Sequence, residues 1–137
     1  MEFSHVSVLL HETIESLNIR PDGVYIDGTA GGAGHSCEIA SRLTTGRLIA
    51  IDKDPDAIRA AAARLAPFPQ ARVVREDFRN LRAVAEAQGI LRADGILLDL
   101  GVSSQQLDDA ARGFSYHSDA PLDMRMSQSG MSAYDLV

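Results

Sequence analysis

Four carboxylates stand at or near the ends of four apolar runs. Asp27 closes "VYID" (24–27) and Asp52 closes "RLIAID" (47–52). Asp77, followed by Phe78, closes "ARVVRED" (71–77), and Asp99 lies near the end of "DGILLDLG" (94–101). If those runs are parallel strands, their ends share one crevice, where an open α/β sheet binds ligands. Asp52 falls 18 positions after Gly34, a place where one carboxylate can accept from both hydroxyls of a ribose. Asp54 is the better cap for the helix that follows, which leaves Asp52 for a ligand. Phe78 could stack an aromatic face on a purine or simply pack in the core. A carboxylate at Asp99, after an apolar strand, is costly unless partnered, which favours a functional reading.

Between the first and second runs lies "DGTAGGAGHS" (27–36), in which four of the seven residues 28–34 are glycine. It resembles a dinucleotide fingerprint without being one: counted from Gly32, the third glycine of G-x-G-x-x-G would fall on Cys37. Ala33-Gly34-His35 open a helix whose amides would face a ligand, and the glycines, Gly32 included, allow close backbone approach. His35 is expected to cap that helix or to be exposed, with no chemistry of its own. NAD(P) and S-adenosylmethionine both suit an adenosine-shaped crevice. A pyrophosphate needs helix N-terminal amides and tolerates acids poorly, so Asp27 at the lip of the loop favours a cationic ligand. That points to a sulfonium donor.

Elements must bring these residues together. Residues 34–43 carry Ile39, Ala40 and Leu43 at helical spacing, with Gly46 beyond. Residues 54–66 form the clearest helix, with Asp54 as cap, Pro55 first, and Ile58, Ala62 and Leu65 on one face. Residues 80–89 form another, with Leu81, Val84 and Ala85 inward and Gly89 as terminator. Residues 5–19 read as a short extended piece leading into a helix. Strand–helix–strand repeated three times predicts a doubly wound parallel α/β sheet in the order 3-2-1-4, covered on both faces. Residues 102–137, rich in Ser, Gln, Asp, Met and Gly, read as loops and short helices.

The bulk numbers restrict the classes. At 137 residues, 45% hydrophobic and 23% charged, the chain is one domain by length. No apolar run nears the ~20 residues of a membrane span, and no signal peptide is evident, so a soluble cytoplasmic protein with no membrane role is expected. One cysteine excludes an internal disulfide or a cysteine-rich zinc site. The four histidines lack the i, i+4 pairing of a metalloprotease, and no metal is expected. The net charge of −6 is spread evenly, with 11 basic against 14 acidic residues in 1–100 and 2 against 5 in 101–137. Such a chain alone is a poor nucleic-acid binder.

"YIDGTAGGAGHS", "AIDKDPDAI", "DGILLDLGVSSQQLDDAARGFS" and "PLDMRM", with "HVSVLLHE" near the start, together resemble the RsmH (MraW) family. The match runs from about His5 onward, and "DLGVSSQQLDD" and "PLDMRM" are its most specific parts. The resemblance implies a Rossmann-like class I methyltransferase that uses S-adenosylmethionine to modify N4 of a cytosine in the decoding region of 16S rRNA, in the small ribosomal subunit. It implies donor contacts at Ala33, Gly34, His35, Asp52, Phe78, Asp99 and Gln106; Gln106 enters only in this way. The family's loop usually reads G-x-G-G-H or similar. The alanine at 33 is a small intrusion provided its φ stays negative.

The family's chain is longer, with a helical insert followed by the remaining strands. The resemblance therefore implies a fragment: residues 1–104 as the N-terminal part of the donor-binding domain and residues 105–137 as the beginning of a substrate-recognition insert. The missing basic patch would lie in the absent part. Many amino methyltransferases place an Asp/Asn/Ser-Pro-Pro-Tyr motif after strand 4, where this chain has "DLGVSS". Asp99 is then the candidate for orienting the target amine or the donor, with Ser103 and Ser104 as loop contacts. With no fifth strand, "GILLDL" becomes an unpaired apolar edge. The isolated chain is expected to be marginally stable or to self-associate, with little or no methyl transfer. Two other readings stay open: a NAD(P)-dependent oxidoreductase domain, and a non-catalytic cofactor-binding or interaction module.

Overall fold

The computed structural model describes residues 9–100, 106, 109–114, 120 and 122–136. Four parallel strands, β1 (Val24–Asp27), β2 (Arg47–Asp52), β3 (Ala71–Arg75) and β4 (Gly95–Leu97), form one sheet in the order β3-β2-β1-β4. The crossovers reverse direction between β1 and β4. The register sets Asp27 beside Ala50 on one side and Leu97 on the other. β2 therefore runs two residues further, to Asp52, and its end stands beside the loop that leaves β1.

The central strands explain their own sequence. Tyr25, Leu48 and Ala50 join a core with Ile14 of α1 (Leu10–Leu17), Ile39 and Ala40 of α2 (Gly34–Ser41), and Ala61 and Leu65 of α3 (Pro55–Leu65). Ile26, Ile49 and Ile51 meet Val84 of α4 (Leu81–Ala87) and Ile90 in a second cluster. Alternate residues of one strand thus supply both clusters, and a continuous apolar run is what burial on two faces requires.

The helix boundaries follow the capping residues. Asp54 accepts from the Asp56 amide at 2.9 Å and Pro55 takes the first helical position of α3. Gly89 takes φ +73 just past α4. The buried stripe of α3 differs from expectation. It is Ala57, Ala61 and Leu65, while Ile58 is half-buried and Ala62 is exposed. The two alanines present so little side chain that α3 can lie close against the sheet, where a stripe led by Ile58 would hold it off.

The edge strands are shorter than their apolar runs. β3 stops at Arg75, and Asp77 then caps a 3₁₀ turn, Phe78–Asn80, by accepting from the Arg79 amide. β4 covers only Gly95–Leu97, although residues 94–101 read as a strand. Among the described residues a ladder partner on β1 alone supports it, and Ile96 and Leu98 remain 51% and 45% exposed. A last short helix, α5 (Ala133–Leu136), closes the described chain.

Candidate functional site at the strand ends

The glycine loop is pinned residue by residue. The Thr29 amide donates to Asp27, the Ala30 amide to the Ile51 carbonyl at 2.8 Å, the Gly31 amide to Asp52, and the Ala33 amide to the Ala30 carbonyl. The Thr29 hydroxyl accepts from the Asp99 amide at 2.6 Å, which ties the loop to the end of β4. Arg64 of α3 donates to the Gly32 carbonyl. Four loop amides are therefore committed inside the protein. Gly28 lies close against its neighbours: a methyl there would come within 2.6 Å of the Leu98 side-chain end, which would have to shift, and 3.2 Å of Phe78.

Asp27 departs from expectation. It is not at the lip of the loop but beneath it, 1% exposed, with the Ser36 hydroxyl donating to one oxygen at 2.7 Å and the Thr29 amide to the other at 3.0 Å. Burial pushes its carboxyl up to about 6, against the pull of those two hydrogen bonds and with the carboxylates of Asp52 and Asp99 adding to the rise. An acid so placed braces the loop from within. The sequence signal was Ser36, nine residues on in the following helix, where a hydroxyl can reach back.

His35 and Ala33 also differ. His35 is buried at 5% exposure in the first turn of α2 and is neither exposed nor the cap. Ala33 holds the N-cap position at φ +67, so the expected negative φ is not met. Its carbonyl receives the Cys37 amide at 2.8 Å, which starts the helix. A left-handed turn lets the chain enter α2 directly from the loop, and the alanine accepts a strain that glycine would avoid. The amides of Gly34, His35 and Ser36 precede the first i→i−4 bond of the helix, as at any helix start.

Asp52 and Asp54 form a linked pair at the end of β2. Asp52 is half-buried, with one oxygen accepting from the Gly31 amide and the other from the Asp54 amide, both at 2.9 Å. Burial raises its pKa, and those amides partly oppose the rise. Asp54 is 1% exposed. Gln106 donates to its Oδ2 at 2.6 Å, and the Arg112 guanidinium reaches both of its oxygens. Burial would raise the Asp54 pKa, but Arg112, Gln106 and the Asp56 amide hold it below the usual carboxylate range. Gln106 is thus met on Asp54, two residues from the expected ribose acid.

Phe78 is 36% exposed beside Gly28, and Asp99 is exposed at the end of β4. The strand ends therefore gather the glycine loop, Asp52, Phe78 and Asp99 around one crevice. Ser103 and Ser104 lie outside the described residues. Arg112 is the residue that sequence reading missed. Its available signal was a lone basic side chain in an acidic stretch, facing two acids at the start of α3.

The model of the MraW methylase family matches residues 2–137. The chain belongs to that family. Relatives within it include the ribosomal RNA small subunit methyltransferase H of Lachnospira eligens, 59% identical over all of this chain and 44% of that protein. The corresponding protein of Clostridium botulinum is 55% identical over all of this chain and 45% of its own length. The chain thus spans less than half the length of the curated relatives it matches. Among solved structures, a SAM-dependent O-methyltransferase from Thermotoga maritima superposes with TM-score 0.56 at 14% identity, over 71% of this chain and 37% of that one. An rRNA methylase from Streptococcus thermophilus gives 0.51 at 16% identity, over 59% and 50%. At such identity the likeness is one of fold, and it agrees with a Rossmann-like methyltransferase sheet. Among the described residues of this MraW-family chain, no helix is long and apolar enough to cross a membrane.

Proposed function

We propose that the chain carries the donor-binding part of an S-adenosylmethionine-dependent rRNA methyltransferase, which modifies N4 of a cytosine in the decoding region of 16S rRNA within the small ribosomal subunit. Membership of the methylase family supports methyl transfer, and the names of the relatives support the ribosomal substrate. The observation that carries the reading is Asp52. Each of its oxygens already accepts one backbone amide, so the carboxylate is held in place, and a carboxylate has lone pairs left for a ribose diol.

The residues fit such a donor. Gly32 and the Ala33-Gly34-His35 backbone lead from the loop into α2, beside the Gly31 amide that donates to Asp52. Phe78 offers a partly exposed ring for adenine, and Gln106 acts on the same strand end through Asp54. S-adenosylmethionine supplies an electrophilic methyl group on a sulfonium. A cytosine amino group is a weak nucleophile, so its nitrogen must be held in line and its protons accepted as charge develops. Asp99, exposed and anchored through its amide to Thr29, is the acid we assign to orienting that amine or the donor. Residues 1–104 belong in this reading to donor binding, and residues 105–137 to the beginning of the substrate-recognition insert.

Calorimetric titration with S-adenosylmethionine and with NADH tests the reading. The methyl donor should bind and NADH should not, and Asp52→Ala should weaken the donor at least about tenfold, as loss of hydrogen bonds to a charged group predicts. Preference for NADH would favour an oxidoreductase domain, and unchanged affinity in the variant would remove the ribose assignment. For the substrate, N4-methylcytidine in 16S rRNA is measured by mass spectrometry in cells with and without the gene. An unchanged content would overturn that assignment.

A further inference from the structure

Arg112 stands outside every role given above, yet it is the most connected side chain described. It closes a 3₁₀ turn, Ala110–Arg112, and is 6% exposed. Its Nη1 donates to Asp54 at 3.3 Å and to Asp56 at 3.0 Å. Its Nη2 donates to Asp54 at 2.9 Å and to the carbonyls of Arg125 and Met126 at 3.0 and 2.9 Å. Its own carbonyl accepts the Met124 amide at 2.8 Å, and the guanidinium carbon lies 5.7 Å from the centre of the Phe114 ring. One planar group thus serves two helix-start acids and two consecutive carbonyls, which a lysine ammonium cannot match.

The two sides it joins differ in kind. On one side, Asp54 fixes an oxygen of Asp52 through its backbone amide. On the other, residues 124–128 are also held by Gln128 on Asp56 and by Arg75 on the Ser127 carbonyl at 2.6 Å. That segment helps to wall a cavity of about 540 Å³, together with Lys53, Phe114 and Leu136. Lys53, which contributes to that wall, lies between Asp52 and Asp54 in the chain.

We propose that Arg112 is a positioning residue. Through Asp54 it fixes the ribose acid Asp52 and the 124–128 segment in one geometry, so that donor binding and the order of that segment are coupled. The proposal rests on the donor reading above. Loss of the guanidinium fork lets Asp54 turn, frees the Arg125 and Met126 carbonyls, and loosens the acceptor face that Asp52 offers.

The test uses the whole chain, with S-adenosylmethionine as probe. Arg112→Lys keeps the buried positive charge and so keeps the fold, while giving up the fork. Its donor affinity should fall about tenfold, and Asp54→Asn should fall by a similar factor. The double variant should fall no further than either single one, because both act through one contact. Hydrogen exchange gives the readout that a merely stabilising arginine would leave unmoved. In the wild type the donor should slow exchange at residues 124–128 as well as in the glycine loop; in Arg112→Lys it should slow only the loop. Wild-type affinity in Arg112→Lys, additive losses in the double variant, or donor protection at 124–128 in Arg112→Lys would each overturn the proposal. A wild type that binds no S-adenosylmethionine overturns the donor reading instead.

Discussion

The end of β2 and the end of β4 face the same crevice and are built in opposite ways. At β2, Asp52 and Asp54 have all four carboxylate oxygens bonded, and Asp54 sits against a buried guanidinium. At β4, among the described residues, Asp99 is anchored by its amide and nothing donates to its carboxylate. Leu98 and Leu100 on either side of it are 45% and 67% exposed. An acid with both oxygens already held by the protein is pre-set for one geometry, which suits a ligand that is always the same. An exposed acid on a short edge strand can adapt to whatever arrives, but holds nothing in place.

The largest expected difference is in stability. Asp54→Ala leaves Arg112 buried without its main partner and should cost about 3–5 kcal/mol. Asp99→Ala, at an exposed position, should stay within about 0.5 kcal/mol. Urea denaturation of the two variants measures the contrast, and equal losses would break it.

Asp27 lies beneath both ends and feels both acids, so it reports which one presses harder. Its folded pKa of about 6 lies above the unfolded value near 3.8. The native state therefore binds the proton more tightly, and Asp27's contribution to stability falls as pH rises from about 4 to 6. The penalty is fully present above pH 6 and absent below about pH 4, with a size of about 3 kcal/mol from 1.36 kcal/mol per pH unit. Asp27→Asn can still accept from the Thr29 amide and meet the Ser36 hydroxyl, so it should be more stable than wild type at pH 7 and equal to it near pH 4. A stability difference that does not change with pH would refute the burial account. Asp52→Asn should lower the Asp27 pKa more than Asp99→Asn does, following the order of their influence.

How much of this was readable without coordinates follows from what periodicity encodes. The sheet order, the crevice and the approach of Asp52, Phe78 and Asp99 follow from apolar runs and their ends, because burial on two faces leaves a linear trace. The fate of Asp27 does not, since an acid that ends a strand reads the same whether a serine nine residues on covers it or solvent does. The left-handed turn at Ala33 was hidden for a similar reason: composition restricts φ only weakly when the residue is small. Arg112 was hidden because its acidic partners lie more than 50 residues away, and no local spacing links a lone arginine to Asp54. The reach of β4 was overread because an apolar run was taken to be paired along its whole length.

That edge gives a third way to sharpen the contrast. Ile96 on β4 is 51% exposed, and among the described residues that strand pairs on one side only, so the wild-type chain should self-associate at raised concentration. Ile96→Lys should make it monomeric by light scattering, while the melting temperature moves little. Arg75→Ala at the opposite edge, on β3, should not change association. A wild type that is already monomeric at high concentration would show that this edge is guarded.

The smallest effect expected lies at the mouth of the glycine loop. Ala33→Gly relieves a left-handed residue, a gain of about 1–2 kcal/mol. It also removes a fully buried methyl from the core that includes Ile39 and Leu48, a loss of about 0.8 kcal/mol, and it frees the unfolded chain by up to about 1 kcal/mol. These nearly cancel, so the melting temperature should move by only a few degrees in either direction. Donor affinity should hold, because the loop is fixed by hydrogen bonds at Thr29, Ala30 and Gly31 that do not involve the methyl. A tenfold loss of affinity with unchanged stability would place the methyl of Ala33 against the donor itself. The β2 side of the crevice would then be shaped by apolar contact as well as by its anchored acid.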